Sequence, residues 1–142
     1  MFVYRRLDVV GAEDLELDVV RVLVVEESPA LSARLLERLC AVPELTVVGV
    51  SRTVTEAVRD VVTQIPDVVI TDSELGQGSG LALLHVLQAR RKVAGAGPRV
   101  LEWTGCQDPR RHAATNGLGV EARFDKAREV ERLVDYCRSV AR

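Results

Sequence analysis

Asp72 closes the apolar run Asp67-Val-Val-Ile-Thr-Asp72, and 45 residues before it the run Val22-Leu-Val-Val25 ends in two acids, Glu26 and Glu27. A hydroxyl, Thr104, closes a third run, Val100-Leu-Glu-Trp-Thr104, and a lysine, Lys126, follows a fourth at Phe124-Asp-Lys126. If these runs are parallel strands, their ends bring acids, a hydroxyl and an ammonium to one edge of a sheet. That set suits phosphoryl transfer to a carboxylate, with a divalent cation neutralising charge and the hydroxyl and ammonium taking phosphoryl oxygens.

The elements that must position these residues are legible in turn. Val22–Val25 is apolar and β-branched, and Ser28 and Pro29 then stand as N-cap and first residue of a helix whose Leu31, Leu35, Leu36 and Leu39 share a face. Pro43 breaks that helix, and Leu45–Val50 reads as a second strand. Thr53-x-x-Glu56 is a capping box that opens a helix to about Gln64, which Pro66 ends. Val68–Thr71 is the third strand. The loop Gly76–Gly80 precedes a third helix from Leu81 to Arg91, and Gly95-Ala-Gly97-Pro98 makes a turn into the fourth strand, Arg99–Trp103. Asp108 and Pro109 cap a short fourth helix that Gly117 terminates, the segment with the weakest pattern. Val120–Phe124 is the last strand, and Val130, Leu133, Val134, Cys137 and Val140 stripe a final helix from about Arg128. Strand and helix alternate throughout, which argues for a parallel sheet covered on both faces.

On these residues the chain resembles the receiver domains of response regulators in two-component signalling, of the chemotaxis-regulator kind. Their pattern is paired acids, a phosphoacceptor Asp, a Gly eight residues on, a Ser or Thr, and a Lys. Here Gly80 lies eight residues after Asp72, and Thr104 and Lys126 lie 22 apart. The resemblance covers roughly residues 20 to 142 and leaves 1–19 as an N-terminal extension, whose Leu15, Leu17 and Val19 could lengthen the first strand or add an edge strand. It implies an α/β, flavodoxin-like doubly wound five-stranded parallel sheet of order 2-1-3-4-5 with five helices. It also implies that Asp72 takes a phosphoryl group from a histidine kinase or phosphotransfer protein, assisted by Thr104 and Lys126. Mg²⁺ would be held by Glu26, Glu27, Asp72 and the backbone carbonyl of Glu74. A downstream protein partner would be bound through the fourth helix, fifth strand and fifth helix, with the chain acting as a single-domain regulator in a phosphorelay.

The sequence departs from the family pattern at three places. Glu27 stands where Asp is usual and adds a methylene, about 1.5 Å of reach, against a cation that demands near-octahedral oxygens; Mg²⁺ binding is expected to be weakened or absent. Ala127 replaces a proline common after the lysine. Arg123 occupies the place of the aromatic three residues before the lysine, with Phe124 one place later, so the aromatic part of the family's switch is altered. These departures keep open a second reading, a degenerate receiver that binds partners independently of phosphorylation.

Composition sets the remaining limits. With 142 residues, 47% of them apolar, the chain can bury a core as one domain. A net charge of -2 with no long basic run argues against direct nucleic-acid binding. Cys40, Cys106 and Cys137 lack metal or CxxC spacing and read as reduced thiols. No apolar stretch suits a leader or a membrane span, so a soluble, cytoplasmic protein is expected. No GxGxxG loop follows the first strand, and aromatics are 4% of residues, which disfavours a nucleotide or flavin binder. His85 and His112 lack a paired acid, Cys106 lacks a basic neighbour, and Trp103 is expected in the core. The expected protein is not a turnover enzyme.

Overall fold

In a computed structural model the described residues are 19–75 and 78–140. The expected extension therefore lies outside them except for Val19, as do Gly76 and Gln77 of the glycine-rich loop. Twelve elements follow in order: β1 (Val20–Val25), α1 (Pro29–Cys40), β2 (Leu45–Ser51), α2 (Val54–Gln64), β3 (Val68–Thr71), β4 (Glu74–Leu75), β5 (Gly78–Ser79), α3 (Gly80–Ala94), β6 (Arg99–Thr104), α4 (Pro109–Gly117), β7 (Val120–Asp125) and α5 (Val130–Val140).

The main sheet runs β2-β1-β3-β6-β7 and every pairing in it is parallel. Its five strands, counted along the chain, stand in the order 2-1-3-4-5, as expected. β4 and β5 form a separate antiparallel pair of two-residue arms that begins two residues after Asp72, which no periodicity announced.

Local chemistry fixes the helix starts. The Ser28 hydroxyl accepts the Leu31 N–H at 3.2 Å, with Pro29 at the first helical position. At α2 the Thr53 hydroxyl accepts the Glu56 N–H at 3.1 Å, and the Glu56 carboxylate returns to the Arg52 N–H at 2.9 Å, one residue before the usual recipient in a capping box. Asp108 accepts the Arg110 N–H at 2.9 Å to start α4.

The two faces of the sheet carry separate apolar layers. Val22, Val24, Ile70, Leu101 and Trp103 meet Leu35 and Leu39 of α1 and Leu133 and Cys137 of α5. Leu23, Val25, Val48 and Val69 meet Ala57 and Val61 of α2 and Leu83, Leu84 and Leu87 of α3. Trp103 is 1% exposed, as the core reading required, and Phe124 also faces that core, edge-on to Tyr136 at 5.7 Å between ring centres. α4 differs from the other helices because Thr115 is its one buried residue. The helix is held by polar contacts instead. Burial pushes the Cys137 thiol up to about 12, in keeping with an inert core residue, and all three cysteines are free. Among the described residues no helix is long and apolar enough to cross a membrane.

Candidate functional site

The parallel register places the carboxyl ends of β1, β3, β6 and β7 along one edge, where Glu26, Asp72, Thr104 and Lys126 emerge. Glu26 and Asp72 are buried, at 3% and 4% exposure. One ammonium joins them: Lys126 Nζ lies 2.7 Å from Glu26 Oε1 and 3.0 Å from Asp72 Oδ2. The lysine's backbone N–H donates to the Thr104 carbonyl at 3.1 Å, and its ammonium rests over the Trp103 ring, 5.4 Å from the centroid. The remaining oxygens are engaged by neighbouring backbone. Glu26 Oε2 accepts the Ser28 N–H at 3.0 Å, and Asp72 Oδ1 accepts the Glu74 N–H at 3.1 Å.

Thr104 is buried, and its hydroxyl accepts the Cys106 N–H at 3.0 Å, so the candidate hydroxyl at rest braces its own loop. Gly80 opens α3 against the same place. A Cβ at that residue would lie 2.0 Å from the Asp72 carbonyl oxygen, and the Gly80 N–H bonds the Ser73 carbonyl at 3.0 Å. The glycine eight residues after the acid is therefore a requirement of backbone contact.

Glu27 is exposed, next to the buried Glu26. Among the described residues no group of three or more acidic, His or Cys side chains is gathered to hold a metal ion. The oxygen donors Glu26 and Asp72 are of the hard kind that suits Mg²⁺, and a cation already sits between them in the form of Lys126. Burial tends to lower the pKa of that lysine, but its hydrogen bonds to Glu26 and Asp72, with their charges, outweigh this and raise it above the ordinary 10.5. A raised folded-state pKa gives stability that is complete below the unfolded value and fades as pH climbs through the folded one. Urea unfolding from pH 8 to 11.5 should thus show the wild type losing stability above about pH 10.5 more steeply than Lys126→Met. Parallel curves would refute the pairing.

Two arginines, Arg52 and Arg111, were missed by reasoning from sequence, and the inward pairing of a third, Arg123, was not foreseen. Arg52, just past β2, donates from Nη1 to the Glu26 carbonyl at 3.1 Å and to the Ser32 hydroxyl at 2.9 Å. Its position at a strand's carboxyl end was the available signal. Arg111 of α4 donates to Ser73, the residue after Asp72, and nothing in Pro109-Arg-Arg-His announced it. Arg123, at the place of the family's aromatic, turns inward: Nε lies 2.8 Å from Glu102 Oε1, an acid 1% exposed within β6. Nη2 of the same side chain reaches the Thr115 hydroxyl at 2.6 Å, Asn116 Oδ1 at 2.8 Å and the His112 carbonyl at 3.1 Å. β7 thereby holds α4. His85 is exposed, and His112 Nε2 pairs with the Cys106 carbonyl at 2.8 Å, so neither histidine joins the acids.

No protein-family model matches the chain, and no curated protein matches it. Solved structures do. The response regulator domain of Thermotoga maritima CheB aligns with a TM-score of 0.75 at 21% identity, over 85% of this chain and 95% of that one. A LuxR-family DNA-binding response regulator from Staphylococcus aureus gives 0.74 at 20%, over 86% and 98%. The signal receiver domain of the response regulator NarL from Mycobacterium tuberculosis gives 0.70 at 19%, over 85% and 98%. With its sheet order, its five flanking helices and these neighbours, the chain has the fold of a response-regulator receiver domain.

Proposed function

We propose that this chain is a phosphorylatable receiver in a two-component or phosphorelay system, working in the cytoplasm, with Asp72 as the phosphoacceptor. The observation that carries the reading is the single ammonium of Lys126 bonded to both buried acids, Glu26 at 2.7 Å and Asp72 at 3.0 Å. An oxygen of the Asp72 carboxylate attacks the phosphorus of a phosphohistidine on a kinase or phosphotransfer protein. The P–N bond breaks, the imidazole leaves and takes up a proton, and an aspartyl O–P bond forms. Lys126 and the Thr104 hydroxyl, released from Cys106, bond the incoming oxygens. Glu26, Glu27, Asp72 and the Glu74 carbonyl would hold Mg²⁺ only weakly, because Glu27 stands in place of Asp and Lys126 already lies between the two buried acids; when bound, the ion would neutralise charge on the phosphoryl group. Output passes to a protein partner through α4, β7 and α5, where Gln107, His112, Arg123, Phe124 and Arg128 line a groove of about 690 Å³.

Incubation with acetyl phosphate and Mg²⁺ tests this directly. The P–O bond of the donor breaks, acetate leaves, and intact mass should rise by one phosphoryl group in the wild type and not in Asp72→Asn. No gain in the wild type rejects the proposal. The exposure of Glu27 favours one second reading, a receiver that binds its partner without phosphorylation. That reading requires equal partner affinity in the wild type and Asp72→Asn.

A further inference from the structure

Two of the arginines near the acids differ in what they hold. Arg52 joins the end of β1 to α1 through the Glu26 carbonyl and the Ser32 hydroxyl. Arg111 crosses from the first turn of α4 to the loop after β3, with Nε 3.1 Å from the Ser73 hydroxyl and Nη2 2.8 Å from the Ser73 carbonyl. Ser73 is 0% exposed, and its carbonyl also takes the Gly80 N–H, so the arginine is anchored on the peptide that follows Asp72. Arg111 Nη1 makes no hydrogen bond to a described residue. α4 has little apolar attachment, with Thr115 alone buried, so polar anchors decide where it sits.

Charge gives this anchor a second role. At rest, Glu26 and Asp72 place two negative charges against the one positive charge of Lys126. On the reading of Asp72 as phosphoacceptor, on which this inference rests, transfer replaces one carboxylate charge by a phosphoryl charge of about -1.5 to -2. Lys126 is already shared between two carboxylate oxygens. A guanidinium offers a planar fork that matches two phosphoryl oxygens, and its present anchor is one residue away, about 3.8 Å along the backbone.

We infer that Arg111 is a phosphoryl-binding residue: when Asp72 is modified, its guanidinium leaves the Ser73 oxygens, takes two phosphoryl oxygens, and draws the first turn of α4 toward β3. α4 then moves because one of its own side chains has changed partners.

The test compares wild type, Arg111→Gln and Arg111→Lys in acetyl phosphate, following the phosphorylated fraction and its lifetime by intact mass. Urea unfolding without donor runs alongside. Loss of a charge-assisted bond should lower the ratio of phosphorylated to free protein in Arg111→Gln by roughly tenfold to a hundredfold. Arg111→Lys should recover part of it, having the charge without the fork, while any fall in unfolding stability without donor stays well below the loss of phosphorylation. Equal phosphorylation in wild type and Arg111→Gln overturns the inference and leaves Asp72 as phosphoacceptor. A loss in Arg111→Gln matched by an equal loss of stability without donor also overturns it, because the arginine then only braces α4. A wild type that takes no phosphoryl group removes both proposals.

Discussion

Replacing Arg123 with Met is expected to destabilise the protein by about 3 to 5 kcal/mol, a large part of the roughly 5 to 15 that holds a domain of this size. The reason is what the change leaves behind. Glu102 is 1% exposed, and its Oε1 holds the arginine at 2.8 Å and the Thr115 hydroxyl at 3.0 Å. Among the described residues its Oε2 is buried without a hydrogen-bond partner, as is Trp103 Nε1 beside it in the chain. Without the guanidinium, the Glu102 carboxyl would stand buried in the sheet with one hydroxyl for company. The same substitution removes the three bonds from Arg123 Nη2 to His112, Thr115 and Asn116, so amide hydrogen exchange should quicken through α4 before the rest of the chain. Urea unfolding of Arg123→Met, Glu102→Leu and the double variant separates the causes. The double variant should recover most of the lost stability, because a buried pair replaced by apolar groups of similar size is often close to neutral. An Arg123→Met protein as stable as wild type would mean that the pair is solvated and the burial misjudged.

Gly80→Ala should be the other severe variant, and its effect should fall on the site itself. The added Cβ would meet the Asp72 carbonyl oxygen at 2.0 Å and the Ser73 Cα and carbonyl carbon at 2.8 Å. All three are backbone atoms, so no rotamer relieves the clash. Either α3 backs away or the peptide bearing Asp72 is displaced, with a stability loss of about 3 kcal/mol or more and a sharply lower yield of phosphorylation. Gly117→Ala is the matched control. Nothing lies within 4 Å of a Cβ there, and the residue ends α4, so a neutral or slightly stabilising result is expected. If Gly80→Ala melts and labels like Gly117→Ala, the close approach of α3 to Asp72 is wrong.

These two variants also mark what could be read from sequence. Gly80 was legible only through the resemblance, whose pattern puts a glycine eight residues after the acid, whereas the strand ends were legible because buried parallel strands appear as unbroken apolar runs. Lys126 followed by the same logic, and the structure puts its ammonium on both acids. The helix starts at Ser28, Thr53 and Asp108 were visible because capping is local chemistry between residues two or three apart. The Glu102–Arg123 pair was not recognised, although its two halves are register partners on β6 and β7. An acid inside Val100-Leu-Glu-Trp-Thr104 was the signal, since a charge within a core strand requires a partner on a neighbouring one. Arg111 had no such signal. Its contact joins a helix to a loop 38 residues earlier, and only packing decides that. The outward place of Glu27 was equally hidden, because adjacent residues after a strand end leave in directions that the following turn sets.

Trp103 is the one tryptophan in the chain, 1% exposed, with the Lys126 ammonium 5.4 Å above its ring. An indole's emission colour follows the electric field across it, and here that field includes the same ammonium that the acids share. The protein thus contains a built-in optical gauge of its charge balance, readable without attaching a dye and specific to one edge of the sheet.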